Sequence, residues 1–260
     1  MKTIFAVLFI GAMPLAAQTE PFNASGVAMG HLHIVTPDPA AQKKIWIDVL
    51  GGKLVKAGPL ELAMFPGVFV AFRSGPSQGA SIGSIVDHLG FAVKDFEGTK
   101  TKIAEAAKIV SVNEANRQFF ALFPGDITVE FTEDIAMDTP IRHHHVHFAT
   151  PAEDEMRAWY GKVFGAVPGT RGKFKAADIP GVNLTWKPAN EPPSPTKGRA
   201  MDHIGFEVKD IRAMCQKAAA AGAKIESGPT PRPDLGLTIA FIVDPWGTHI
   251  EFTEGLSKLR

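Results

Sequence analysis

The sequence predicts an α+β fold of four βαβββ modules, arranged as two halves by tandem duplication. Three observations predict it. The segments Asp87-His88-Leu89-Gly90-Phe91-Ala92-Val93-Lys94-Asp95 and Asp202-His203-Ile204-Gly205-Phe206-Glu207-Val208-Lys209-Asp210 agree at seven of nine positions, 115 residues apart. Gly30-His31-Leu32-His33-Ile34 matches His144-His145-Val146-His147-Phe148 at an offset of 114, which also carries Leu50-Gly51 onto Phe164-Gly165 and Phe65-Pro66-Gly67 onto Ile179-Pro180-Gly181. Within each half, a strand, a helix and three further strands are legible twice. Self-similarity of this kind marks repeated structural units. It places the halves at 27–134 and 140–256, with Ala136 to Pro140 as the break.

The modules run from about Gly30 to Arg73, Val86 to Glu133, Arg142 to Lys187 and Met201 to Glu254. The first helix opens at Asp38-Pro39 and stops at Gly51-Gly52. The third is expected to start with Thr150 as N-cap, Pro151 as first helical residue and Glu153 completing a capping box. Met156, Trp159, Tyr160, Val163 and Phe164 then fall on one helical face. The fourth opens at Asp210 and ends before Gly222, a C′ glycine. Short alternating runs broken by Pro-Gly or Gly-Asp follow each helix, as a mostly antiparallel sheet requires. Lys187 to Arg199, with four prolines, reads as a surface loop and a candidate lid.

Composition narrows the function classes. Lys+Arg and Asp+Glu both number 27, so no basic stripe speaks for nucleic acid. The start, Met1-Lys2-Thr3 followed by an apolar core and Leu15-Ala16-Ala17, reads as a signal peptide over 1–17, hence a secreted or periplasmic protein. That apolar stretch is short for a membrane span, which needs about 20 residues, so no membrane association is expected after its removal. The single cysteine, Cys215, excludes an internal disulfide and reads as a small core residue.

The chemistry is concentrated in histidine. Four of the nine histidines stand at 143, 144, 145 and 147, and the rest lie in four further strand-like runs: His31 with His33, His88, His203 and His249. Side chains two apart on a strand share a face, so His143, His145 and His147 are expected to point into one interior. Histidines gathered on strands in this way point to a metal.

These motifs resemble the vicinal oxygen chelate superfamily, which includes glyoxalases, extradiol dioxygenases and bleomycin-resistance proteins. The carrying motifs are the first-strand His-x-Gly-Phe and the last-strand Asp244-Pro245-Trp246-Gly247-Thr248-His249-Ile250-Glu251. The resemblance covers nearly the whole chain after residue 27. It implies that two modules curl into an open barrel, with metal ligands on first and last strands. It implies the ligands His145, His203 and Glu251 in the C-terminal half and His31, His88 and Glu130 in the N-terminal half. The remaining ligand positions fall near Ala71 and Thr185, so three protein ligands and open coordination sites are expected. Module one can pair with module two or with module four, and either choice yields two His-His-Glu sets. Two imidazoles and a carboxylate suit a catalytic metal that keeps positions for water and substrate.

The cofactor implied is one divalent metal, zinc, nickel, manganese or iron, in each active barrel. His249 and His147 lie two positions from Glu251 and His145, so strand spacing aims both into one cavity as general acid or base. The N-terminal counterpart of His249 is Thr128, which marks the C-terminal half as the better equipped. The function expected is a glyoxalase-like lyase or isomerase acting on a small molecule that offers adjacent oxygens to the metal. An extradiol-type dioxygenase using ferrous iron is the first alternative, although the sole tyrosine, Tyr160, falls on a helix. A non-catalytic small-molecule-binding protein is the second.

Overall fold

The computed structural model describes residues 19–259, so the signal-peptide segment 1–17 lies outside the described residues. All four modules are present. The first comprises β1 (Val27–Thr36), α1 (Pro39–Lys43, continued by a π-helical turn over Lys44–Val49), β2 (Lys53–Ala57), β3 (Leu60–Phe65) and β4 (Val68–Ser74). The second has β5 (Val86–Val93), α2 (Phe96–Ala104), β6 (Lys108–Asn113), β7 (Gln118–Phe123) and β8 (Ile127–Glu133). The third has β9 (Ile141–Thr150), α3 (Glu153–Phe164), β10 (Val167–Arg171), β11 (Phe174–Ile179) and β12 (Val182–Pro188). The fourth has β13 (Met201–Val208), α4 (Ile211–Ala220), β14 (Lys224–Arg232), β15 (Leu237–Val243) and β16 (His249–Glu254).

The pairing of modules crosses the sequence duplication. Modules one and four form an eight-stranded sheet in the order β14-β15-β16-β13-β1-β4-β3-β2 (sheet I). Modules two and three form the other, in the order β10-β11-β12-β9-β5-β8-β7-β6 (sheet II). At each centre the first strands of two modules run antiparallel, β1 beside β13 and β5 beside β9. Each sheet therefore takes one module from each half of the sequence, and so does each site.

The helices start where their caps dictate. Asp38, Asp95 and Asp210 accept hydrogen bonds from Ala41, Gly98 and Ala213 backbone N–H groups at 2.9 Å each. The capping box expected at Thr150 does not form. Its hydroxyl accepts from Ala152 N (3.1 Å) in a tight turn, and α3 begins only at Glu153. Met156, Trp159, Tyr160, Val163 and Phe164 are all buried on the face anticipated for them. They join Leu32, Ile34, Val146, Phe148, Ile204 and Phe206 in one continuous core. Cys215 is buried there too. The stretch from Lys187 to Arg199 is pinned rather than free to act as a lid. Ser194 exchanges backbone hydrogen bonds with Gly83 and Ile85, and the buried Thr196 accepts from His249 N at 2.9 Å. Among the described residues no helix is long and apolar enough to cross a membrane.

Candidate metal centres

Strand alternation and four β-bulges build two nearly equivalent clusters. On β1 and β9, Leu32, Ile34, Val146 and Phe148 enter the shared core, so His31, His33, His145 and His147 face the concave side. Across the central pair, His31 lies opposite Gly205, His33 opposite His203, His145 opposite Gly90 and His147 opposite His88. This explains the glycine of the His-x-Gly-Phe motif. A Cβ at Gly90 would sit 1.9 Å from Cε1 of His145, and one at Gly205 would sit 2.0 Å from Cε1 of His31. Each motif glycine is the space its opposing imidazole occupies.

Centre II, in sheet II, gathers His88, Glu130, His145 and His147; centre I, in sheet I, gathers His31, His33, His203 and Glu251. In both, the donor atoms lie within 4.8 Å of one another. The six residues expected from the resemblance do come together, but not in the expected sets: because module one pairs with four and two with three, His145 joins His88 and Glu130, and His31 joins His203 and Glu251. Each cluster also holds a fourth donor where three were expected. His147 is the lateral neighbour of Thr185 on the adjoining parallel strand, and His33 is the lateral neighbour of Ala71. The strand beside the empty ligand position fills it. His33 was missed as a donor from the sequence, although its matching spacing with His147 carried the signal.

In centre II, Glu130 Oε2 is 3.0 Å from His88 Nε2 and 3.5 Å from His145 Nε2, while His147 Nδ1 is 3.1 Å from His88 Nε2. In centre I, Glu251 Oε2 is 3.0 Å from His203 Nε2 and 3.1 Å from His31 Nε2. Atoms bound about 2.0–2.2 Å from one metal stand roughly 3–3.5 Å apart, so both donor sets fit a divalent ion. The buried Nε2 atoms of His145 and His33 have no hydrogen-bond partner, as expected of nitrogens reserved for a ligand. Three imidazoles and one carboxylate suit zinc, nickel or iron.

The surroundings set the charge states. Burial disfavours the cationic form of His88 and His203, yet bonds to Asp87 and Glu130, and to Asp202 and Glu251, outweigh it and raise both pKa values. Burial holds His145 and His33 well below the ordinary histidine value and brings His147 to about 3, so these rings are neutral. Burial alone would raise Glu130 and Glu251, but their histidine partners hold both carboxyls ionised, far below the usual range.

Several expectations for single residues change. His143 does not join its neighbours, because a bulge between the Gly90–His145 and Phe91–His143 pairs turns it away. It is buried against Phe91 with Nδ1 3.2 Å from the carbonyl of Gly181. His147 and His249 do not share a cavity. His249 belongs to sheet I, with Nδ1 3.2 Å from Asp202 and its ring stacked on Phe241. Tyr160 is packed in the core, its hydroxyl donating to Asp244 at 3.0 Å. Of the aromatics that could line a cavity by strand spacing, Trp186 and Phe119 are buried in the core, and Phe120 lines the cavity at centre II together with Lys187.

That cavity separates the two centres. At centre II it measures about 1000 Å³ and is bounded by His88, Glu130, His147, Gln118, Phe120, Arg171, Lys173, Phe174 and Lys187. The outer oxygen of Glu130 accepts from Arg171 (2.5 Å), Gln118 (2.8 Å) and Thr132 (3.0 Å). At centre I the opening is about 530 Å³, beside Arg73, Phe241 and His249. The rest of that concave face is filled by Val55, Leu62, Phe69, Leu237 and Leu256. Leu256 comes from a turn held by Glu207, whose carboxylate accepts from the backbone N–H groups of Gly255, Leu256 and Ser257. The better-equipped site by this measure is the one beside Thr128, not the one beside His249.

Comparison with known proteins agrees with this architecture. A family model described as Glyoxalase/Bleomycin resistance protein/Dioxygenase superfamily matches residues 28–166 and 144–252. The structure of glyoxalase I from Zea mays superposes with a TM-score of 0.67 at 18% identity, covering 89% of this chain and 94% of that one. A Bacillus subtilis protein provisionally described as a dioxygenase gives 0.60 at 15% identity, covering 88% and 86%. In sequence, a lactoylglutathione lyase from Haemophilus influenzae is 38% identical over 60 residues, 23% of this chain. That match spans 44% of the relative, less than half its length.

Proposed function

The chain belongs to the Glyoxalase/Bleomycin resistance protein/Dioxygenase superfamily, and from that membership we propose a metal-dependent lyase or isomerase acting on a small substrate with adjacent oxygens. The observation that carries the proposal is the meeting of a His-His-His-Glu donor set with a cavity of about 1000 Å³ in sheet II. A cavity of that size suits a ligand the size of a typical metabolite or drug.

On this reading His88, Glu130, His145 and His147 hold one divalent metal, which supplies Lewis-acid polarisation of a substrate oxygen. Glu130 is a weak base, because three donors bind its outer oxygen while two histidines face its inner one. His147 lines the cavity and burial keeps it neutral; with one ring nitrogen on the metal, its other nitrogen carries the proton and can donate to a substrate oxygen. Phe120 and Phe174 offer an apolar wall to the substrate, and Lys173 and Lys187 offer positive charge. Centre I holds a metal with little room for turnover, and His33 is the residue there corresponding to His147. Export after cleavage near Ala17 completes the proposal; the N-terminal sequence of the exported protein checks it.

A four-donor set leaves fewer open positions than the two-histidine, one-carboxylate arrangement typical of ferrous oxygenases, which supports the lyase or isomerase over ring cleavage. The name of the Haemophilus influenzae relative supports the same choice. The test is turnover of thiol adducts of α-oxoaldehydes and of α-hydroxycarbonyl compounds by the full chain. Activity is expected to vanish on chelation, return with a divalent metal, be lost in His88→Ala and persist in His203→Ala. Metal-loaded protein inert on the whole panel would favour a binding protein, and iron-dependent oxygen uptake with catechols would favour the dioxygenase.

A further inference from the structure

We propose that His144 is a positioning residue for centre II, fixing the tautomer and orientation of His145; this rests on the metal-binding reading of that centre. Four bulges place the residues concerned. In the β5–β9 pair the unpaired residues are Asp87 and His144; in the β1–β13 pair they are Asp202 and Gly30. A bulge leaves one extra residue whose side chain is re-aimed. Each of these four precedes a histidine of a donor set.

Three of the four bulge residues have a side chain, and all three use it in the same way. Asp87 lies 2.7 Å from Nδ1 of His88, and Asp202 lies 2.6 Å from Nδ1 of His203. His144 Nδ1 lies 3.1 Å from Nδ1 of His145, with the two rings perpendicular. Gly30 has nothing to offer, and Nδ1 of His31 is buried without a partner. With Nε2 of His145 directed at the donor cluster, its Nδ1 carries the proton and donates to His144. A ligating histidine is normally held by such a bond from its other nitrogen. His144 therefore serves His145 as Asp87 serves His88. Sheet I lacks this support and has no room for it: a Cβ at Gly30 would stand 3.1 Å from Leu256 Cδ2 and 2.9 Å from Glu207 N.

The experiment is a cobalt(II) titration of the full chain against a competing chelator, followed by the visible absorption of the bound ion. It is run in the His203→Ala background, which silences centre I. His144→Gly, the residue found at the matching position of sheet I, should weaken binding at centre II about 10–100-fold and alter the absorption. His144→Asp, which can accept from Nδ1 as Asp87 does, should bring affinity back close to the parent value. Parent-like affinity and absorption in His144→Gly would overturn the proposal, and so would a folded His144→Asp as weak as the glycine variant. With His203 intact, equal weakening of both centres by His144→Gly would reveal a general structural defect and also overturn it. A parent that binds no cobalt at centre II would overturn the metal-binding reading itself, and this inference with it.

Discussion

Sheets I and II bury the same donor set in nearly the same geometry, yet only one of them keeps a large chamber above it. In both, a carboxylate oxygen stands 3.0 Å from the histidine of the Asp-His-x-Gly-Phe motif. What differs is three supporting positions. His144, Ala92 and Arg171 in sheet II correspond by repeat offset to Gly30, Glu207 and Ala57 in sheet I. Glu207 anchors the turn carrying Leu256, Gly30 leaves room for that leucine, and Ala57 joins the apolar filling instead of bonding the glutamate. On the proposed function, holding a metal and admitting a substrate are thus set by different residues.

The sharpest way to break the comparison is at the motif glycines. Gly90→Ala would force His145 out of place, since the new methyl group would lie 1.9 Å from its ring. Misplacing a reacting group by about 1 Å can cost about 100-fold in rate. Turnover should therefore fall by about that factor or more, with loss of the metal at centre II. Gly205→Ala should remove the metal of centre I alone and leave turnover nearly unchanged. Metal analysis and steady-state rates on both variants decide it, and equal loss of activity in the two would mean that both centres work.

A gentler break targets the carboxylates behind the ligands. Asp87→Asn keeps the shape but weakens the support given to His88, so metal affinity at centre II should drop about 10-fold or more. Asp202→Asn should do the same at centre I only. Chelator competition separates the two, and crossed effects would show that the centres are coupled through the core between the sheets.

The modules were legible in the sequence because duplication repeats whole motifs, and the six candidate ligands were legible because Asp-His-x-Gly-Phe recurs and because Glu130-Phe131-Thr132-Glu133 repeats as Glu251-Phe252-Thr253-Glu254. The pairing of modules was not legible, since His31 and His88 each complete a His-His-Glu set with either partner. The fourth donors were legible only through the shared spacing of His33 and His147, which does not say what they stand beside. His33 and His147 fill the places left by Ala71 and Thr185 only because they are neighbours in register, a relation between distant strands. Strict alternation put His143 beside His145, and a single bulge residue reversed it. The filling of sheet I by Leu256 depends on a contact with Gly30 that no local pattern announces.

Unplugging sheet I should cost stability and little else. Leu256→Ala removes a buried side chain from the apolar cluster, and a change of this kind costs about 2–5 kcal/mol, with the lower end expected beside a surface turn. Denaturant unfolding should register that loss while turnover at centre II stays at the wild-type level. A rise in total turnover would instead mean that the leucine had been holding back a second working chamber.

The smallest effect should touch neither centre. Tyr160 of α3 donates to Asp244 beside β16, tying module three to module four. Burial pushes the Asp244 carboxyl above its ordinary value despite donors from Thr248, Tyr160 and Trp246. A raised carboxyl favours the folded state at low pH, and that contribution is lost as pH rises through the folded value. Tyr160→Phe takes away one donor to the ionised form, so it should raise the carboxyl further and deepen the loss on the alkaline side. The variant should match the wild type closely below about pH 3.8 and fall behind by about 1–3 kcal/mol at neutrality. Urea unfolding across that range checks the sign. A constant deficit at every pH would mean that the tyrosine contributes through its ring packing and not through the carboxylate.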